Sequence, residues 1–340
     1  MFRTQVRTME DLMSNRRLFK IKSKTVLNRV TTPAMPFTWS INPYRGCSHG
    51  CAFCYARNTH EFIGMSADDS FRTHLFVKED APAVLRRELA KGKWRGGRVQ
   101  VGTATDPYQP LEKQQELTKQ ILEVLAFYRV PTSITTRSPL IQRDIELLRE
   151  LNRYADCSVQ ISINTLDVKI WRSIEPESPH PQARFDTVKK LREAGIRTGI
   201  LLAPVLPFLT DDVPMLKRLV QSARESDASF VVPSILRLKP QVKQWFFGQL
   251  EAHFPETVAS YRNLYKGTYV EERYAKRFQE KMGPILQHWG YTKEFFADGD
   301  DVYPGVAYRQ SAKVPAEEKK EQLSFESIAF RPIKPSEQRK

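Results

Sequence analysis

Three cysteines fall within eight residues of the chain, Cys47, Cys51 and Cys54, at the spacing C-x3-C-x2-C. Thiolate sulfur is a soft metal ligand. Three such ligands are one fewer than a closed tetrahedral zinc site or an iron–sulfur cubane takes. The fourth cysteine, Cys157, lies more than a hundred residues further on. The pattern therefore describes a metal centre with one coordination position left open. Two other readings compete. A structural zinc could take His49 or His60 as its fourth ligand, but zinc knuckles usually arrive as two separated pairs and no second pair exists here. The third reading is a set of inert buried thiols, which three cysteines in so short a window make the weakest.

The elements that must hold this loop follow from periodicity. Candidate strands are Phe37–Asn42, Arg98–Thr105, Pro131–Arg137, Ser158–Thr165, Thr198–Val205 and Phe230–Arg237. Helical patterns lie between them, with Leu117, Ile121, Leu125 and Tyr128 at helical spacing in 113–128, and Ile141, Ile145, Leu148 and Leu151 in 140–154. Gly195 suits the end of a helix. Strands alternating with helices imply βαβ units and a parallel sheet. Six units are too few for a closed eightfold barrel and suit an open one or a doubly wound sheet. Strand parity separates the two. Gln160, Ser162 and Asn164 share one face and Val159, Ile161 and Ile163 the other; Ser133, Thr135 and Arg137 share a parity as well. A doubly wound sheet wants both faces apolar, so the expectation is an α/β fold, a partial (β/α)6 TIM-like barrel. The cysteine loop follows the first strand, at the C-terminal rim where such barrels build their sites, and Gly46 and Gly50 allow it to turn tightly. Helices are expected at Gln241–Phe254, Glu256–Tyr265 and Glu271–Trp289. The organisation is thus a basic N-terminal extension (1–36), a core (37–240), a helical C-terminal extension (241–310) and a Lys-, Glu-, Pro- and Ser-rich tail (311–340) expected to be disordered.

Composition bounds the rest. Among 340 residues, 53 Lys and Arg face 39 Asp and Glu, a net charge of +14 whose field would attract nucleic acid or another polyanion. No apolar run is long enough for a bilayer, and the basic N-terminus lacks the apolar segment of a secretory signal. The expectation is a cytoplasmic protein without a membrane partner, where clustered cysteines bind metal more often than they form disulfides.

Beyond the cysteines, the chain carries Asn42-Pro43-Tyr44-Arg45-Gly46-Cys47, Cys54-Tyr55-Ala56-Arg57, Thr105-Asp106-Pro107-Tyr108-Gln109-Pro110, Thr136 to Asp144 and Thr165-Leu166-Asp167. Cys47-x3-Cys51-x-Phe53-Cys54 resembles the signature of radical SAM enzymes. With the other segments it resembles the spore photoproduct lyase-like branch, often labelled DNA repair photolyase-like, over about 37–240. The resemblance implies a 4Fe-4S cluster on Cys47, Cys51 and Cys54 whose open iron chelates S-adenosylmethionine (SAM). A reducing donor of flavodoxin or ferredoxin type delivers an electron, the C5′–S bond of SAM breaks, and a 5′-deoxyadenosyl radical takes a hydrogen atom from substrate. Damaged or modified nucleic acid is the favoured substrate class; a protein or small metabolite is the alternative. Arg137 stands where the family usually shows Lys, and either cation would pair the SAM carboxylate. Ser138 carries over from the same motif, and Phe53 occupies the position near adenine, with Tyr55 beside it. Ser162 and Asn164, inward by parity, and Asp106, at the end of the second strand, are further candidates for holding SAM. Glu112 has a status similar to Asp106, while Asp167 suits the N-cap of the helix after it. The Glu175-Pro176 to His180-Pro181 loop either contacts substrate or connects elements. Cys157 begins the fourth strand, at the far end from the cysteine loop, and reads as core. A reaction that returns hydrogen from a cysteine is therefore not expected. Tyr55 or Tyr108 would be the side-chain donors if one is needed.

Overall fold

In the computed structural model, residues 4–5, 16–31, 35–292 and 307–309 are described. The expected tail (311–340) and Phe295, Phe296 and Tyr303 lie outside the described residues. The strands, in chain order, are β1 (Thr4–Gln5), β2 (Arg17–Ile21), β3 (Asn28–Arg29), β4 (Trp39–Ile41), β5 (Tyr44–Arg45), β6 (His74–Lys78), β7 (Val99–Val101), β8 (Thr132–Thr136), β9 (Cys157–Ser162), β10 (Arg197–Val205), β11 (Phe230–Ile235), β12 (Tyr291–Thr292) and β13 (Ala307–Arg309).

The six expected strands are β4 and β7 to β11. They lie side by side in one sheet, in the order β11-β10-β9-β8-β7-β4. Every one of those pairings is parallel. This is the partial (β/α)6 arrangement, and its two faces differ as parity demands. Val99, Val101, Ile134, Val159, Ile161 and Ile200 belong to the main apolar core with the helices. The other face carries polar side chains that satisfy one another. Gln100 Nε2 donates to Thr135 Oγ1 at 3.0 Å, Ser133 Oγ to Gln100 Oε1 at 2.6 Å, and Thr135 Oγ1 to Gln160 Oε1 at 3.1 Å. Such a layer removes the desolvation cost that a lone buried polar group would carry.

Two helices depart from the expected spans. The stretch 113–128 is divided into Glu112–Gln115 and Leu117–Phe127 by Glu116, whose φ is +48°. The cause is the fully buried Glu112, whose carboxylate accepts from Thr118 N at 3.0 Å and thereby caps a new helix start. The stretch 140–154 opens with a 3-10 turn, Pro139–Asp144, before the α-helix Ile145–Ala155. Gly195, at φ +78°, follows the helix Pro181–Glu193 as its sequence context suggests.

A second, four-stranded sheet, β1-β2-β6-β5, was not legible in the sequence. β2, from the basic N-terminal segment, runs parallel to β6, and β5 runs antiparallel to it. β5 ends two residues before Cys47, so this sheet fixes the entry to the cysteine loop. After β11 come the expected helices, Pro240–His253, Val258–Leu264 and Glu272–His288. Among the described residues no helix is long and apolar enough to cross a membrane.

Candidate active site

The cysteine loop leaves β4 and β5 at the C-terminal edge of the parallel sheet, and its backbone is tied down from several directions. Cys47 N donates to Phe71 O at 3.0 Å and Ala52 N to Ile174 O at 2.8 Å. Gly46 adopts φ +81°, and a Cβ there would stand 2.7 Å from His74 O. Gly46→Ala therefore combines left-handed strain with a backbone clash. It is expected to cost about 2–4 kcal/mol, read by chemical denaturation, because neither term can relax by moving a flexible side chain. Gly50, at φ +67°, meets only the side chain of Arg72.

The Thr105 to Pro110 motif braces the loop from the sheet side. Thr105 Oγ1 donates to Gly46 O at 2.7 Å, and Gln109 accepts from Ser48 N at 3.0 Å while donating to Thr105 Oγ1 at 3.1 Å. Asp106 is buried and its carboxylate is engaged. It accepts from Tyr108 N (2.9 Å), Thr136 Oγ1 (2.6 Å) and Arg137 N (2.7 Å), with His49 Nδ1 3.3 Å away. Burial alone would raise its pKa; His49 and these donors outweigh that and hold it below the usual carboxylate range. Asp106 thus joins the ends of β7 and β8 beneath the loop. Ser138 accepts from Leu140 N at 3.3 Å, capping the 3-10 turn. Asp167 caps the helix Val168–Ile174 through Ile170 N, as expected.

Arg57 had no assigned role in the sequence, and its contacts give it one. Fully buried, it donates to Cys51 O (3.0 Å), Gly50 O (2.6 Å) and Asp68 O (2.5 Å). Its guanidinium also lies 4.7 Å from the Trp245 ring centroid. One side chain therefore holds the backbone of the loop and ties it to the helix Pro240–His253. The clue in the sequence was an arginine three residues after Cys54, but an arginine reveals its partners only when folded.

Arg137 lies over Phe53, with its guanidinium carbon 5.6 Å from the ring centroid. Its Nε donates to Glu175 Oε1 at 3.2 Å, and its terminal nitrogens make no hydrogen bond among the described residues. Burial would lower its pKa, but Cys51, Glu175 and Asp106 raise it further, so its charge is permanent. Glu175 is a second such residue, which the sequence placed in a loop that either contacts substrate or connects elements. At 1% exposure it joins Arg137 to the equally buried Arg184, and it accepts from Ser178 Oγ at 2.9 Å. Burial opposes its ionisation, yet the two arginines pull its pKa down to about 2.

Cys47 and Cys51 are buried and Cys54 is partly exposed. Burial pushes the Cys51 thiol up to about 12, against the pull of Arg137, and Cys47 is raised as well. Only a metal would make these groups thiolates at neutral pH, with release of protons. Sulfurs sharing one zinc stand about 3.8 Å apart, from a zinc–sulfur bond of about 2.3 Å. Among the described residues no three His, Cys, Asp or Glu side chains converge enough to hold a single ion. His60, a candidate fourth zinc ligand, directs Nε2 at His74 O, 3.1 Å away. Three cysteines on one short loop are a donor set that an iron–sulfur cluster, with each thiolate on its own iron, would take. Ser48 Oγ and Asn164 Oδ1 are buried without hydrogen-bond partners, which leaves polar capacity in and near the loop. Ser162 and Asn164 are both buried; Ser162 O accepts from Arg184 Nη1 at 3.0 Å. Phe53 packs with Cys51 and Ile174, while the half-exposed Tyr55 donates to Thr103 O. Tyr108 donates to Asp144 at 3.0 Å. Cys157 is fully buried at the start of β9, the opposite edge from the loop, as its position in the chain suggested.

Residues 41–220 match the sequence model of the Radical SAM superfamily. An uncharacterized protein of Mycobacterium tuberculosis is 36% identical over 269 residues, covering 78% of this chain and 79% of its own length. A radical SAM Nalpha-GlyT isomerase of Pseudomonas phage M6 is 29% identical over 174 residues, covering 50% of this chain and 34% of its own. Among solved structures, a spore photoproduct lyase mutant with bound AdoMet and dinucleoside spore photoproduct superposes at TM-score 0.58, covering 80% of this chain and 78% of that one. At 13% sequence identity that likeness is one of fold.

Proposed function

The chain belongs to the radical SAM superfamily, and we propose that it is an enzyme that cleaves SAM reductively and uses the resulting radical on nucleic acid. The observation that carries this reading is the loop of Cys47, Cys51 and Cys54, held at the C-terminal edge of a six-stranded parallel sheet beside a permanently charged Arg137. Bound there, a 4Fe-4S cluster and SAM would supply an electron to the sulfonium and a carbon radical able to take hydrogen from substrate. The chain's own residues do the rest. Cys47, Cys51 and Cys54 would hold three of the irons, while Arg57 and the Thr105 to Gln109 brace keep the loop from shifting. Arg137, aimed by Glu175, offers its free terminal nitrogens to the SAM carboxylate. Phe53 lies under that arginine, Asn164 and Ser162 offer polar atoms from the sheet, and Tyr55 stands at the exposed side. Asp106 and Ser138 serve the same site indirectly, by fixing the backbone from which Arg137 projects. The apolar packing of Phe53, Leu206, Leu236 and Phe246 beside the loop closes one side of the site around a radical that would otherwise take hydrogen from neighbouring C–H groups.

Nucleic acid as substrate is supported by the net charge of +14. The dinucleoside bound by the similarly folded lyase also supports it. The buried position of Cys157 argues for a reaction without a cysteine hydrogen donor.

The test is anaerobic reconstitution with iron and sulfide, reduction with dithionite, and assay of 5′-deoxyadenosine from SAM, with and without oligonucleotide. Product above background supports the reading; stoichiometric zinc with no iron and no product overturns it. Arg137→Ala is expected to leave iron content unchanged and to weaken SAM binding about 10–100-fold, the loss of a charge-assisted bidentate contact. Equilibrium dialysis with labelled SAM measures it.

A further inference from the structure

Beside the cysteine loop, on the same edge of the sheet, lies a cleft of about 550 Å³ between the segment after β10 and the C-terminal helices. Its walls include Phe208, Asp211, Glu271, Tyr274, Arg277 and Lys281. We infer that this cleft binds a single strand of nucleic acid, with a base stacked on Phe208 and the backbone phosphates on Arg277 and Lys281. The inference rests on the radical SAM reading and names where its polymeric substrate is gripped.

Phe208 carries the argument. It is an exposed aromatic (46%) with φ +64°, a conformation in which bulky residues are outliers. Strain of this kind persists only where the surroundings impose it, and it gathers at functional positions. Here the surroundings are visible: Phe208 N donates to Asp211 Oδ1 at 2.8 Å, and the ring stands edge-on to Tyr261, 5.6 Å between centroids. A half-exposed hydrophobic ring is thus held between Tyr261 and Tyr274, the latter 6.2 Å away between centroids, at a conformational cost. Every base offers a π-face to such a ring, whatever its identity.

The opposite wall is one face of the helix Glu272–His288. Tyr274, Arg277, Phe278 and Lys281 follow one another at intervals of three, one and three residues, so they share a stripe. Phe278 is buried and anchors the stripe, while Arg277 and Lys281 are exposed and make no ion pair among the described residues. Their Cβ atoms, four residues apart on a helix, stand about 6 Å apart, so one phosphodiester can meet both. Two acidic residues share these walls. Asp211 is held on the Phe208 side by Phe208 N and by the Tyr274 hydroxyl. Glu271, at the start of the helix, lies about 9 Å along its axis from Arg277 and about 15 Å from Lys281, so the cleft is most positive at its Lys281 end.

The cleft is joined to the active site by packing. Cys51, Ala52 and Phe53 belong to one apolar cluster with Leu206, Tyr261 and Leu264, and Leu209 and Tyr274 pack against it. Leu264 and Tyr274, which line the cleft, are thus packed in one cluster with the cysteine loop.

The test uses the full-length reconstituted protein and a fluorescein-labelled single-stranded oligonucleotide of about twelve nucleotides, within the usual site sizes. Fluorescence anisotropy reads its Kd over a salt series. Phe208→Gly removes the ring and relieves the positive φ, so it is expected to be at least as thermally stable yet to bind about tenfold more weakly. Arg277→Ala with Lys281→Ala is expected to lower the slope of log K against log salt by about 0.7, the value for the one phosphate they share. Lys189→Ala with Lys190→Ala, exposed on the helix Pro181–Glu193, removes the same charge elsewhere and is expected to leave the Kd and the slope nearly unchanged. Unaltered binding by Phe208→Gly, or equal weakening in the control pair, overturns the cleft. If the unaltered protein forms 5′-deoxyadenosine while the cleft variants bind normally, only the cleft is lost. If it forms none while the cleft variants lose binding, the enzymatic reading fails and the cleft stands.

Discussion

Cys51→Ala is expected to abolish iron retention and 5′-deoxyadenosine formation together, by more than about a hundredfold, since even residues behind a metal ligand are worth 10–100-fold. The loop itself has reason to stay folded in this variant. Arg57 holds the carbonyl oxygens of Gly50 and Cys51 rather than the sulfur, and Thr105 and Gln109 hold Gly46. What is lost is the ligand, in a loop that supplies only three. Cys157→Ala is the matched comparison. It removes an equally buried thiol from the core at the far edge of the sheet, and is expected to cost about 1 kcal/mol of stability while keeping iron and product. Iron content and product, measured side by side in the two variants, separate a metal ligand from a packed sulfur. Iron retained in full by Cys51→Ala would remove the metal centre from this loop.

Glu175→Gln is expected to destabilise the fold by roughly 3 kcal/mol at pH 7 and by much less in acid. Glu175 stands between two buried arginines, and breaking such a network by removing one charge costs about 3–5 kcal/mol, with the lower end suited to an amide that keeps part of the hydrogen bonding. Linkage gives a similar figure. The folded-state pKa is about 2 against an ordinary value of 4.5. About 2.5 units at 1.36 kcal/mol each is roughly 3 kcal/mol. Because the folded pKa is depressed, this stabilisation is fully present above about pH 4.5 and is lost as the pH falls toward 2. Urea denaturation of both proteins at pH 7 and pH 3.5 should show the gap shrinking by about 1 kcal/mol at the lower pH. A gap independent of pH would mean that the ionised carboxylate is not what holds the two arginines. The same variant releases Arg137, so SAM affinity is expected to fall with no loss of iron.

Much of this protein is written locally. The spacing of Cys47, Cys51 and Cys54 marks the metal centre because the loop that carries them is short enough to present all three sulfurs from one turn. The six parallel strands and the three C-terminal helices are legible because periods of two and of 3.6 residues are properties of the chain itself. The polar parity of Ser133, Thr135, Gln160 and Ser162 foretold an open barrel for the same reason. The apportioning of side chains within the site was not legible. Asp106 and Ser138 carry the residue types of cofactor ligands, but Ser138 caps its own turn through Leu140 N, and Asp106 is engaged by Thr136 Oγ1 and Arg137 N, which come within reach only when β7 and β8 lie side by side. Glu175 and Arg184 become a pair only inside the protein, where neither can stay charged alone, and Arg57 finds carbonyls that the loop exposes only once bent. The parallel pairing of β2 with β6 joins segments 57 residues apart. Which distant strands meet is set by the surfaces they bury together, and no local pattern records that choice. The sequence by itself thus determined the cysteine spacing on which the proposed metal centre rests and the order of elements. The tertiary structure decided which polar groups remain free to bind, because a hydrogen bond already made inside the protein is no longer available to a ligand.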